Sequence, residues 1–275
     1  PETFAPSEKI LGIPIEKVGF PQPACDKINE EVNTTTRGMI PKLVEPSDVG
    51  PDSAIVLLNA IYFKSDWEKK FDIDPESNNP ECKNFTLADG TQIHVNMIES
   101  FDRKLPFAEN DEFQVVSIPY INKQYDFVII LPKDNTNAGY ENLKKLTYER
   151  LNELLTSLND TEIDLKLPKF TFDSKFSLVE SFKSLGMKKA FTTDADCVDP
   201  NVSYFVSDVI QKAKIVLDEN GTKAAAATAA IMACGCCLNP PPVPEVFADH
   251  PFMFLLRNSK TKTVFFEGFV TNPTF

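Results

Sequence analysis

The chain is poor in histidine and tryptophan: two histidines, His94 and His250, and one tryptophan, Trp67, among 275 residues. A cysteine hydrolase needs a thiolate, a histidine partner and an orienting group. Neither histidine lies in a stretch resembling a thiol-protease signature, so an enzyme of that kind is set aside. A glycine-rich phosphate loop and a Gly-x-Ser-x-Gly elbow are both missing. The carboxylates are dispersed, with no two marked as a general acid and base. No apolar run approaches the length of a membrane-spanning helix, and no repeat of 20–50 residues is present. Positive charge is short as well: 28 Lys and Arg against 40 Asp and Glu leave a net charge of −12. That balance opposes binding to nucleic acid or to anionic membranes. Nothing at Pro1 has the pattern of a signal peptide, so a mature or trimmed chain is expected. The length is enough for one large domain with a real core.

Six cysteines stand at positions 25, 82, 197, 234, 236 and 237. An even count in a secreted chain suggests disulfides. The cluster Cys234-Gly235-Cys236-Cys237 also admits a metal reading, but no second cluster completes a ligand set. No metal and no cofactor are therefore expected. Asn33, Asn84, Asn159 and Asn201 each begin an Asn-x-Ser/Thr glycan acceptor, consistent with a secreted, extracellular glycoprotein. Asn220 begins another.

Along the chain, 25–44 reads as a helix followed by a short second turn, and 52–63 as a strand buried on both faces. Residues 85–97 read as a hairpin turning at Ala88-Asp89-Gly90. Two more strands fall at 114–120 and 125–131. A helix is expected over 140–158, a strand over 162–172 and an amphipathic helix over 176–187 closed by Gly186. A strand at 206–217 leads into an unusual stretch, and a hairpin of 252–256 with 264–270 ends the chain. Strands and helices mix without βαβ alternation, which makes the class α+β.

The unusual stretch is 218–245. An acidic pair and Gly221 open it, a run of very small side chains follows, and Pro240 to Pro242 close it. Alanine favours helix, but no apolar stripe at helical spacing holds such a helix down. Read as a strand, one face carries Thr222, Ala224, Ala226, Thr228, Ala230 and Met232. The other carries Lys223, Ala225, Ala227, Ala229 and Ile231. The first face is narrow and uncharged, so the segment could slide between two existing strands. The prolines cannot donate to a ladder, so insertion stops before them.

The hinge Glu219-Asn220-Gly221-Thr222-Lys223-Ala224-Ala225-Ala226-Ala227-Thr228 resembles the reactive-loop hinge of inhibitory serpins. Asn59 to Trp67 resembles the third strand of the serpin main sheet with its tryptophan. Leu167-Pro168-Lys169-Phe170 and Leu185-Gly186-Met187 match further landmarks, and Asp249 to Phe254 and Phe266 to Pro273 resemble the C-terminal strands. The resemblance implies a single serpin domain over 1–275 lacking the N-terminal helices of the family, with a large mixed sheet and an exposed reactive loop. It implies a protease inhibitor that traps its target. The protease attacks the loop as substrate, forms an acyl-enzyme, and the hinge then inserts into the main sheet. It places Trp67 where the loop enters the sheet. The helix at 25–44 resembles the one that lies across that sheet.

Counting from the hinge glycine puts the scissile bond between Gly235 and Cys236. Counting back from Glu245-Val246 lands near Pro240 instead. The hinge count is adopted because insertion length is mechanically fixed from that end. No Lys or Arg occurs between Ala224 and Val246, so a serine or cysteine protease accepting small residues is the expected partner, bound covalently to a monomer. The other reading of the resemblance is a non-inhibitory serpin, a carrier, chaperone or store.

Overall fold

The computed structural model describes residues 21–49, 55–79, 81–195, 205–220 and 242–273. In chain order the elements are α1 (Pro21–Thr35), β1 (Ile55–Phe63), β2 (Asp72–Ile73), β3 (Phe85–Thr86), β4 (Gln92–Ile93), β5 (Met97–Glu109), β6 (Phe113–Pro119) and β7 (Tyr125–Pro132). They continue as α2 (Asn137–Lys144), α3 (Tyr148–Thr156), β8 (Asn159–Pro168), β9 (Phe170–Ser177), α4 (Val179–Ser184), β10 (Val206–Leu217), β11 (Glu245–Phe247), β12 (Phe252–Asn258) and β13 (Val264–Val270). The chain divides into two compact units, Pro1–Lys64 with Phe172–Ile215, and Ser65–Thr171 with Val216–Phe275.

The first unit carries the sheet β1-β10-β9, in which β1 and β10 run parallel and in contact from Ile55↔Val206 to Phe63↔Ile215. One sheet face is covered by α1. Cys25, Ile28 and Val32 fall at three- and four-residue spacing, the stripe of a helix with one buried side. They pack with Ile40, Leu43, Val44, Val49 and Ile210 against Val56, Leu58, Ala60 and Tyr62. Asn29 staples the helix to the chain that follows. Its side-chain oxygen accepts from the amides of Leu43 at 2.7 Å and Val44 at 3.0 Å, and its amide donates to the Val44 carbonyl at 2.9 Å. The helix ends where Thr36 turns its hydroxyl onto the Val32 carbonyl and Arg37 and Gly38 take left-handed backbone angles of +53° and +82°. A turn at residues 36–38 follows the helix, and the chain over 40–45 is irregular. β1 is less buried than its composition suggests: Leu57 is half exposed, because β1 lies at the edge of the described sheet.

The second unit holds a sheet in the order β11-β8-β5-β6-β7-β12-β13, with β2 paired to β5. β7 is buried along its whole length. Val128 and Ile130 of β7, with Phe113, Val115 and Leu255, meet Leu143 and Leu154 from the helices. The single helix expected over 140–158 is two helices. The Thr147 side chain accepts from the Arg150 amide and caps a new start at Tyr148. The strand expected over 162–172 is likewise two strands in two sheets, divided at Lys169. α4 is shorter than expected because β9 extends to Ser177; Gly186, at φ +100°, follows the helix as its stop. The hairpin β3–β4 turns through Gly90 at φ +84°.

β5 was not foreseen. Its ladder with β8 is interrupted between Ser100 and Arg103, with Asp102 at φ +48°, and that bulge scrambles the alternation a strand would show.

A buried ion pair joins the middle of this sheet. The Arg257 guanidinium donates from Nε at 3.0 Å and Nη2 at 2.9 Å to Asp126 Oδ2, and Ser117 Oγ donates to the same oxygen at 2.6 Å. Arg257 is 3% exposed and Asp126 5%. Removing one partner leaves the other charge buried without its counter-ion. Asp126→Ala is expected to cost about 3–5 kcal/mol, read as a lower urea midpoint. Asp126→Leu combined with Arg257→Met is expected to recover most of that loss.

Candidate functional site: the two roots of residues 221–241

β10 ends at Leu217 and the chain passes through Asp218, Glu219 and Asn220. Their three successive carbonyls are all held by one short segment. Trp67 Nε1 donates to the Asp218 carbonyl at 2.9 Å, the Phe71 amide to Glu219 at 3.0 Å and the Trp67 amide to Asn220 at 3.1 Å. Asn220 folds back, its amide donating to Asp218 Oδ1 at 2.8 Å.

The indole is fixed by its surroundings. Trp67 is 2% exposed, stacks on Tyr120 with ring centres 4.4 Å apart, and meets Phe71 and Phe127 edge-on at 5.8 and 6.0 Å. It also forms an isolated bridge with Tyr120. Such aromatic pairs add about 0.5–1.5 kcal/mol beyond area burial.

Lys169 lies 2.9 Å from Glu219 Oε2, and its own amide is tied to the Asn96 carbonyl at 2.7 Å. Burial opposes ionisation of Glu219. The Lys169 ammonium and nearby amide donors outweigh it and hold the carboxyl below the usual glutamate range.

The distal root begins at Pro244, whose carbonyl accepts from the Asp164 amide at 2.9 Å. β11 then pairs in parallel with β8, Glu245↔Asp164 to Phe247↔Lys166, with Val246 fully buried.

Of the residues singled out in the sequence, Trp67 and Glu219 are brought together at the proximal root. Gly221, Thr222, Ala224, Ala225, Ala226, Ala227, Thr228, Gly235 and Cys236 lie outside the described residues, as do Asn201 and the cysteine cluster. Asn33 and Asn159 are exposed. Asn84 is half-buried; its amide nitrogen donates to the Val95 carbonyl and its oxygen accepts from the Val95 amide, both at 2.9 Å. The Asn159 amide nitrogen likewise donates to the Ser157 carbonyl at 2.7 Å. The histidines make local bonds: His94 Nδ1 to the Cys82 carbonyl, His250 to Asp249 and to the Pro132 carbonyl. Tyr120 and Phe71 carried no signal in the sequence, and Lys169 appeared there as a landmark with no role attached.

A family model described as Serpin (serine protease inhibitor) matches residues 6–273. The chain is 39% identical over 266 residues to Iripin-2 of Ixodes ricinus, covering 94% of this chain and 64% of that protein. It is 34% identical over 259 residues to a leukocyte elastase inhibitor of Xenopus laevis, covering 91% and 66%. It thus spans a little under two thirds of the length of these relatives. Among solved structures, native protease nexin-1 with heparin superimposes with a TM-score of 0.76 at 28% identity, covering 92% of this chain and 67% of that one.

The proximal root makes a titration testable. A carboxyl whose folded value is depressed contributes fully above its unfolded value, here near 4.5, and loses that contribution as pH falls through the folded value. Trp67 is the natural reporter. Its emission is expected to shift red as pH falls below about 4.5, and the Glu219→Gln variant is expected to show that shifted emission already at neutral pH. Lys169→Met is expected to cost about 1.5–3 kcal/mol in urea unfolding, the range for a hydrogen bond to a charged group.

Proposed function

We propose that this chain, which belongs to the serpin family, inhibits a protease by trapping it: the reactive loop is cut as a substrate and its hinge then enters the main sheet. The observation that carries the reading is the direct pairing of β1 with β10, the strand that feeds the hinge. The two strands are parallel. A segment that follows β10 and turns back at Gly221 runs antiparallel to both, and so finds a partner on each edge.

The lengths agree. Residues 222–232 count eleven, against nine in β1 and twelve in β10. Insertion exchanges one parallel ladder for two antiparallel ones, and antiparallel pairing is the more stable kind. Each added hydrogen bond contributes about 0.5–1.5 kcal/mol net. The acyl bond is carried away with the strand before water can cleave it. Strand addition of this kind, with serpin loop insertion as its own example, is a general mode of recognition.

The target is a serine or cysteine protease that accepts small residues, elastase-like, subtilisin-like or papain-like, because no Lys or Arg stands between Ala224 and Val246. A relative carrying the name leukocyte elastase inhibitor fits that preference. The bond cut is Gly235–Cys236. The complex is covalent and the inhibitor monomeric. Secretion, with glycans on Asn33, Asn84, Asn159 and Asn201, belongs to the same reading.

A protease panel tests it. A complex that survives boiling in detergent is the expected result; clean cleavage without a complex means a non-inhibitory serpin, and peptide turnover means an enzyme. The released C-terminal peptide is expected to begin at Cys236, and one beginning at or beyond Pro240 overturns the bond assignment. Thr222→Arg is expected to turn the inhibitor into a substrate. Its side chain enters the sheet first, and burying an unpaired charge costs several kcal/mol. Lys223→Arg, facing solvent, is expected to leave the number of inhibitor molecules consumed per protease unchanged.

A further inference from the structure

The distal root is thinly held by its backbone. β11 has three residues, lies at the sheet edge and pairs on one side with β8. A parallel ladder of that length is weak. A few further bonds help: Gln114 Nε2 to the Glu245 carbonyl at 3.1 Å, the Ala248 amide to the Lys166 carbonyl at 2.9 Å and the Thr86 amide to the Asp249 carbonyl at 2.7 Å.

Val246 and Ala248 are buried there, and a further side-chain attachment converges on one ammonium. Lys166 Nζ lies 3.0 Å from Asp74 Oδ2 and 3.1 Å from Glu99 Oε2. It also lies 5.8 Å from the ring centres of both Phe101 and Phe247. Phe247 is the β11 residue directly opposite Lys166 in the ladder. Asp74 is itself fixed, accepting from the Glu76 amide at 2.9 Å. The ammonium therefore links β11 through Phe247, β5 through Glu99 and Phe101, and the chain after β2 through Asp74. Burial works against its charge, yet the two carboxylates outweigh burial and raise its pKa, so it stays protonated. Without it, two carboxylates face each other and Phe247 loses its cation contact.

We propose that Lys166 is a positioning residue that clamps the distal root of the reactive loop to the sheet; its consequence for inhibition rests on the inhibitor reading, while the clamp itself does not. A loop presented to a protease needs both ends fixed for the scissile bond to be held in one register. The proximal end is fixed by Trp67 and its neighbours, the distal end by Lys166.

Amide hydrogen exchange on the whole chain tests the clamp. In Lys166→Met the amides of 245–248 are expected to exchange roughly tenfold faster, with those of β7 unchanged. Lys166→Arg, which keeps the charge and stacks on aromatic rings, is expected to restore most of the protection. Unchanged exchange over 245–248 overturns the proposal, and so does equal acceleration there and throughout β7. Should Lys166→Met fail to fold, Phe247→Leu keeps apolar bulk and removes the ring; faster exchange confined to 245–248 supports the clamp and no change overturns it. Protease titration supplies the functional arm. If the parent chain forms no complex with any protease, the inhibitor reading fails and exchange alone decides the clamp. If the parent forms complexes, Lys166→Met is expected to form them at least about twofold more slowly with the number of inhibitor molecules consumed per protease unchanged, since a loosened root presents the bond less often in a cleavable register but is severed from the inserting strand once the acyl bond forms.

Discussion

Three consecutive carbonyls, those of Asp218, Glu219 and Asn220, are held by the amides of Trp67 and Phe71 and by the Trp67 indole. Much else depends on that attachment. It sets where β10 stops, and so which residue becomes the first of the hinge. Two of the three donors are backbone amides, which survive most side-chain substitutions. The third is aimed by the ring contacts of Trp67 with Tyr120, Phe71 and Phe127. A loop that inserts from this point starts from a fixed register. Register matters because a one-residue slip would turn Lys223 inward in place of Thr222.

Elements whose signal is local were legible in the sequence. β10 appears at the residues its alternation indicated, the β3–β4 hairpin turns at Gly90, and β6 and β7 fall within a residue of expectation. What was hidden is nonlocal. Asp126 and Arg257 are separated by 131 residues and Lys166 and Asp74 by 92, and nothing in either neighbourhood announces the partner. The Thr147 cap was overridden in the sequence by the leucine spacing that continues across it. β5 was missed because its bulge breaks period two. Trp67 and Glu219 were singled out by resemblance, and the physical reason for them, a grip on main-chain carbonyls, needed coordinates.

The sheet of the first unit carries a second constraint. α1 covers one face through Cys25, Ile28 and Val32, and Asn29 binds that helix to Leu43 and Val44. β1 and β10 are paired along all of β1. Any strand that enters between them must first break this ladder, so the exchange has a barrier even when its outcome is favourable. A narrow, uncharged inserting face lowers that barrier without altering the final gain. On this view the small residues of 222–230 serve the rate of insertion, while the ladder bonds serve its equilibrium.

The two roots hold the loop by different means, and the difference has a consequence for how such a loop can vary. The proximal root is chiefly main chain bonded to main chain, with the Lys169–Glu219 pair as a supplement. The distal root is a short edge strand held by buried Val246 and Ala248 and by side-chain contacts, the Lys166 ammonium against Phe247 among them. Substitutions can therefore retune the distal side, including the length of chain before Glu245, without disturbing the bonds that fix residues 218–220. Added residues before Glu245 are the variation that asymmetry permits. The same lengthening on the hinge side would shift every side chain of the inserting face.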